Sequence, residues 1–240
     1  MKERNYNLEL IRMISFIFVI VIHVSNYYCR AYGDITIGEY SFSLLLNLLA
    51  RISVPCFFMI TGALLLGREE SLHKHAWSVI YMIWNAVYMK DPYQIKDLLY
   101  KPVEQHLWYL YAMIPIYLVL PFFQVMCKGM NLRMERAFLV VITAAVLFNY
   151  ISTFFDEKMY YSVPLVGDRI YSYYVFIGYY IYKYRKHVMK GKMIPAGIFV
   201  VCMALNYGLT YAATLQDGEH YERLLEYGNP LLALAAAMAF

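Results

Sequence analysis

The stretch that decides the fold is Leu8–Cys29, LELIRMISFIFVIVIHVSNYYC. It is long enough to cross a bilayer as a helix, which takes roughly 17–25 mostly apolar residues. Two polar side chains interrupt it, Arg12 and His23. Each helical residue turns about 100° and rises about 1.5 Å, so the eleven steps from Arg12 to His23 bring the two within about 20° of one azimuth, roughly 16 Å apart along the axis. One face therefore carries a fixed cation near one end and a titratable imidazole near mid-depth. Ionisable groups at membrane depth are expensive and mark a pathway or a site, unless they snorkel to the interface or bond between helices.

The rest of the chain repeats this pattern. Of 240 residues, 61% are hydrophobic and only 16% charged, with a mean hydropathy of +0.46, so a soluble globular class is excluded and a polytopic membrane protein is expected. The apolar runs predict an all-α transmembrane bundle of about eight spans, at 8–29, 41–66, 76–89, 107–126, 137–155, 170–184, 193–215 and 229–240. The 26 tyrosines cluster at span ends, as at Tyr27 and Tyr28, Tyr160 and Tyr161, and Tyr179 and Tyr180, where interfacial belts lie. The loops are too short for a soluble core, so residues 1–240 read as one transmembrane domain. The first run lacks a small-x-small cleavage site and is expected to remain as the first span.

Orientation follows from the basic residues. With the N-terminus inside, twelve of the 21 lysines and arginines fall on the cytoplasmic side and seven on the other, a bias that rests mainly on Lys183, Arg185, Lys186, Lys190 and Lys192. Cys29, Cys56, Cys127 and Cys202 are isolated, and neither a disulfide framework nor a zinc or other metal site is expected.

Chemistry has three candidate locations. Arg51-Ile-Ser-Val-Pro55 runs into Phe57-Phe58-Met59-Ile60-Thr61-Gly62, which combines a cation, a helix-breaking proline and a small residue. Pro55 removes the N–H that would bond the Arg51 carbonyl and opens the helix beside the charge. Gly62 lets another helix or a slender ligand approach closely. Arg68 follows at the cytoplasmic end of that helix, where a phosphate-bearing ligand would arrive. His106-Leu107-Trp108-Tyr109-Leu110 opens the fourth run, and His106 is placed to take a proton from a hydroxyl at the membrane surface. Nucleophile-elbow, P-loop and dinucleotide-binding patterns are all missing from the sequence.

In order, Leu10-Ile11-Arg12 followed after ten intervening residues by His23, Arg51 to Gly62, and His106-Leu-Trp108 resemble acyltransferase family 3, whose members modify bacterial envelope carbohydrates. Phe176-Ile-Gly178-Tyr179-Tyr180 and the closing Asn229-Pro230 segment are weaker echoes. The resemblance implies an O-acyltransferase, expected to move an acetyl or other acyl group from cytoplasmic acyl-CoA to a hydroxyl of an envelope carbohydrate or glycolipid. It implies His23, Arg12 and His106 as catalytic residues and Arg51 and Arg68 as donor-binding residues. Acyl-CoA would be a substrate, with no tightly bound cofactor, and the protein would sit in a bacterial inner membrane with a cytoplasmic N-terminus. The family carries further spans after the Asn-Pro helix, one bearing Tyr-Leu-x-His, so the fold expected over 240 residues lacks those last helices. The competing readings are a transporter or flippase whose buried cations hold an anionic substrate, and a sensory or structural membrane domain.

Overall fold

A computed structural model describes residues 5–68, 108–155, 170–188, 191 and 193–240, together with Trp77, Ile80 and Trp84. The described elements are helical: α1 (Tyr6–Arg30), α2 (Ile37–Arg51), α3 (Ser53–Leu65), α4 (Trp108–Gly129), α5 (Leu132–Ser152), α6 (Tyr171–Val188), α7 (Met193–Asp217), a 3₁₀ turn (Arg223–Leu225) and α8 (Pro230–Ala239). The chain divides into two units, one of residues 1–63 and 136–240, the other of residues 64–135.

Among the described residues, five helices are long and apolar enough to cross a membrane: Tyr6–Arg30, Ile37–Leu65, Ala112–Gly129, Leu132–Ser152 and Met193–Asp217. That is fewer than the eight spans expected. The run at 76–89 lies largely outside the described residues. The run at 170–184 forms α6, whose last turns carry Lys183, Arg185 and Lys186, and the run at 229–240 forms α8, which has ten residues.

In the first unit, α1 buries a narrow stripe, Leu8, Ser15, Ser25 and Cys29, and turns Phe16, Ile17, Ile20 and Val24 outward. An outward apolar face with a polar-tinged inner stripe is what a lipid solvent selects. α2 begins at Ile37 because Thr36 and Glu39 form a capping box: the Thr36 side chain accepts from the Glu39 N–H, and the Glu39 carboxylate accepts from the Thr36 N–H at 2.9 Å. The helix breaks at Ile52, three residues before Pro55, which then sits in the first turn of α3 where a missing N–H is tolerated.

α3 and α6 cross through two glycines. A Cβ on Gly62 would lie 2.7 Å from the Val175 carbonyl carbon, and one on Gly178 would strike the Met59 backbone. The two contacts are reciprocal, so the backbones meet with no side chain between them, and Phe58 stacks on Tyr171 at 4.7 Å beside the crossing. The close approach expected at Gly62 is thus made by another helix.

The ends of this unit are distinct. Asn5 donates to the Tyr182 hydroxyl at 3.5 Å, which places the start of α1 at the end of α6 where Lys183 and Arg185 lie. Arg30, at the other end of α1, pairs with Glu222 at 2.7 Å in the segment after α7. Gly218 ends α7 with φ +74°, a left-handed value glycine adopts without strain. In the second unit, Gln124 of α4 donates to the Leu65 carbonyl at 2.8 Å, at the end of α3.

Candidate functional site

Arg51 occupies the last turn of α2, and its side chain reaches back along the helix, as helical side chains do. Nε donates to Asn47 Oδ1 at 2.8 Å, one turn earlier, and a terminal nitrogen, Nη1, donates to the Leu225 carbonyl at 2.9 Å. The guanidinium also lies 5.9 Å from the centre of the Tyr227 ring. Asn47 is fully buried and is itself held by Ser25, to whose Oγ it donates at 3.0 Å. All three partners of Arg51 are neutral. Among the described residues no carboxylate pairs with it, and its other terminal nitrogen, Nη2, has no hydrogen-bond partner. A cation anchored by neutral oxygens keeps its charge available to a developing anion.

Beside it runs a second network. Asn206, Thr210 and Thr214 recur every four residues on α7 and are all completely buried. Thr214 Oγ1 donates to the Thr210 carbonyl at 2.9 Å and receives the Tyr221 N–H at 3.2 Å. Tyr40 Oη lies 2.8 Å from Thr214 Oγ1 and 3.0 Å from His220 Nδ1. Asn229 caps α8 by accepting the Leu231 N–H at 2.9 Å, and its Nδ2 donates to Asn206 Oδ1 at 3.1 Å. The segment between α7 and α8 is tied down further where Tyr174 Oη donates to the Tyr227 carbonyl at 2.7 Å. Burial holds the His220 imidazole below its usual pKa, with Arg51 and Arg30 acting the same way and Glu222 against. The hydrogen bond from Arg30 holds the Glu222 carboxyl low.

Of the residues predicted from sequence, Arg12 and His23 both lie exposed on the uninterrupted α1, and Arg12 pairs with Glu9 at 3.4 Å. Arg51 belongs to the same unit but to the separate set of partners just described. Arg68 closes the turn after α3, its N–H donating to the Leu65 carbonyl at 3.1 Å, in the second unit. His106 lies outside the described residues. The structure thus joins Arg51 to Asn47, Ser25 and Tyr227, and links Tyr40, Thr214 and His220 in the second network, all residues that the sequence reading passed over. A signal for some of them was present. Tyr40, Asn47 and Arg51 fall within about 40° of one azimuth on α2, and Asn206, Thr210 and Thr214 repeat at i, i+4 and i+8. His220 sits in a loop, where helical periodicity carries no information.

A family model described as an acyltransferase domain matches residues 5–240. No curated protein and no solved structure matches the chain.

Proposed function

The chain belongs to acyltransferase family 3 and is a multi-pass membrane protein, and from that premise we propose that it moves an acyl group, in the first instance acetyl, from cytoplasmic acyl-CoA to a hydroxyl of an envelope carbohydrate or glycolipid. The observation that carries this reading is the domain match over residues 5–240. In it His23 is the general base that takes the proton of the attacking hydroxyl, and Arg12 serves the same face of α1. Arg51 steadies the oxyanion that forms as the hydroxyl oxygen attacks the thioester carbonyl, a role supported by its unpartnered Nη2 and neutral anchors. The C–S bond then breaks and the CoA thiolate is protonated as it leaves. Arg68 meets the donor phosphates, which a planar guanidinium pairs bidentately. His106 attends the acceptor at the opposite surface. The N-terminus lies in the cytoplasm of a bacterial inner membrane, a placement supported by Lys183 and Arg185 sharing the end of the unit that holds Asn5.

The test is transfer of label from [¹⁴C]acetyl-CoA in membranes carrying the full chain. Base-labile label in the envelope carbohydrate fraction is the expected result. Binding of a glycolipid or anion with the thioester left intact would instead indicate a transporter.

A further inference from the structure

The neighbours of Asn47 fix which way its amide points. Arg51 Nε can only donate, so the Asn47 atom 2.8 Å from it is the amide oxygen. The Ile22 carbonyl can only accept, so the atom 3.4 Å from it is the amide nitrogen. Ser25 Oγ gives its one proton to the Val21 carbonyl at 2.6 Å and accepts from that same nitrogen at 3.0 Å. A rotated amide would set donor against donor and acceptor against acceptor, in a residue with no exposed surface.

This one orientation ties Arg51 to α1. Ile22 and Ser25 both lie on α1, and the Ile22 carbonyl belongs to the peptide unit that carries the His23 N–H. Holding α1 against α2 requires only the two bonds from the amide nitrogen. The bond to the amide oxygen runs within α2 and serves the guanidinium alone. Arg51 is otherwise held by the Leu225 carbonyl at 2.9 Å, through Nη1, and by the Tyr227 ring. Without Asn47 the fork would pivot about that carbonyl. The amide also suits the charge. A carboxylate of the same shape would hold Nε, but it would neutralise the guanidinium and turn its second oxygen toward the Ile22 carbonyl.

We propose that Asn47 is the positioning residue of Arg51, its amide registering the guanidinium against the turn of α1 that bears His23 while leaving the positive charge uncancelled. What that charge does rests on the acyl-transfer reading; the anchoring does not.

The test uses the full chain, labelled with [¹⁵N]arginine, in nanodiscs. The Arg51 Nε–H resonance is assigned by its loss in Arg51→Lys, and its exchange with water is compared in the parent, Asn47→Leu and Asn47→Asp. Leucine fills the same space without an acceptor, so exchange should quicken about 10- to 100-fold, as for a lost hydrogen bond to a charged donor. Aspartate keeps the acceptor, and exchange should change little. Turnover of acetyl-CoA with the envelope carbohydrate fraction separates the roles: kcat should fall about 10²-fold in Asn47→Leu and at least about tenfold in Asn47→Asp, with the KM for acetyl-CoA little changed in both. Asn47→Leu combined with Arg51→Gln should be no slower than Arg51→Gln alone, because Asn47 acts only through Arg51. Exchange in Asn47→Leu equal to that in the parent, full kcat in either variant, or a further loss in the double variant overturns the proposal. Should Asn47→Leu fail to fold, Asn47→Asp decides: kcat lost with exchange retained supports the proposal, and full kcat overturns it. Quickened exchange in Asn47→Leu with no acetyl-CoA consumed by the parent leaves the anchoring standing and overturns the acyl-transfer reading, whereas consumption with unaltered exchange does the reverse.

Discussion

Gly178→Ala should destabilise the protein, while Gly208→Ala, an equally helical substitution, should not. At Gly178 a new Cβ would lie 2.5 Å from the Met59 carbonyl carbon, where ordinary contact is 3.4–4 Å, so α3 and α6 must part by about 1 Å. A gap of that size forfeits a quarter to a half of each atom pair's ~0.1–0.2 kcal/mol, which over about 30 pairs at the crossing amounts to about 1–2 kcal/mol. The displaced neighbours are well packed, since Phe58, Met59, Val175 and Phe176 are all buried. Against this stands the better helix propensity of alanine, worth up to about 1 kcal/mol in water. Gly208 has nothing within 4 Å of its would-be Cβ and takes that gain unopposed. The propensity gain is common to both, so the two variants should differ by the packing loss, about 1–2 kcal/mol, or about 2–8 °C in Tm for a chain of this size, read by thermal unfolding in one detergent. Adding Gly62→Ala to Gly178→Ala should cost less than Gly62→Ala alone, because the helices have already separated. A Tm for Gly178→Ala equal to or above that of Gly208→Ala would refute the close crossing.

His23→Ala should lower acyl transfer about 10²- to 10⁴-fold, as loss of a general base does, with little change in Tm because the side chain is exposed; near-normal transfer from radiolabelled acyl-CoA would remove His23 from the chemistry. Arg51→Gln should lower kcat about 10²- to 10³-fold with the KM for acyl-CoA little changed, and Arg51→Lys should recover only part of it, since an ammonium cannot hold Asn47 and Leu225 together as the fork does. An unaltered kcat in both would dismiss the oxyanion role. Stability should fall as pH is lowered through about 6.5, where His220 titrates in the unfolded chain. Burial, with Arg51 and Arg30 assisting and Glu222 opposing, keeps the folded ring neutral to lower pH, so between the two pKa values only the unfolded state binds the proton. Melting curves from pH 8 to 5 should show this loss in the parent and a flatter profile in His220→Asn; identical profiles would count against a buried neutral ring.

The helices were legible because apolar runs and their interruptions decide where a chain can cross lipid. The first run, at 8–29, became Tyr6–Arg30 almost unchanged, and the break expected near Pro55 fell at Ile52. Boundaries set by side-chain caps were displaced. α2 begins at Ile37 and not at 41 because Thr36 and Glu39 cap it, and α5 begins at Leu132 and not at 137, where Asn131 accepts the Met134 N–H at 3.0 Å. The runs at 170–184 and 229–240 form α6 and α8, which are not among the five described helices long and apolar enough to cross a membrane. The candidate site was legible only residue by residue. Arg12, His23 and Arg51 stand out as polar interruptions, but what they touch depends on how α1, α2 and α7 pack and on a loop, 218–229, that joins through its carbonyls at Leu225 and Tyr227. Backbone partners leave no trace in residue identity.

The measurement that bears most directly on the central claim is release of free CoA thiol by the purified full chain in nanodiscs, given acetyl-CoA and envelope glycan together. The account predicts thiol release that requires the glycan, matches the ester formed on it one for one, and falls at least about 10²-fold in His23→Ala. Intact acetyl-CoA in the presence of the glycan, or thiol released with no ester formed, would contradict it.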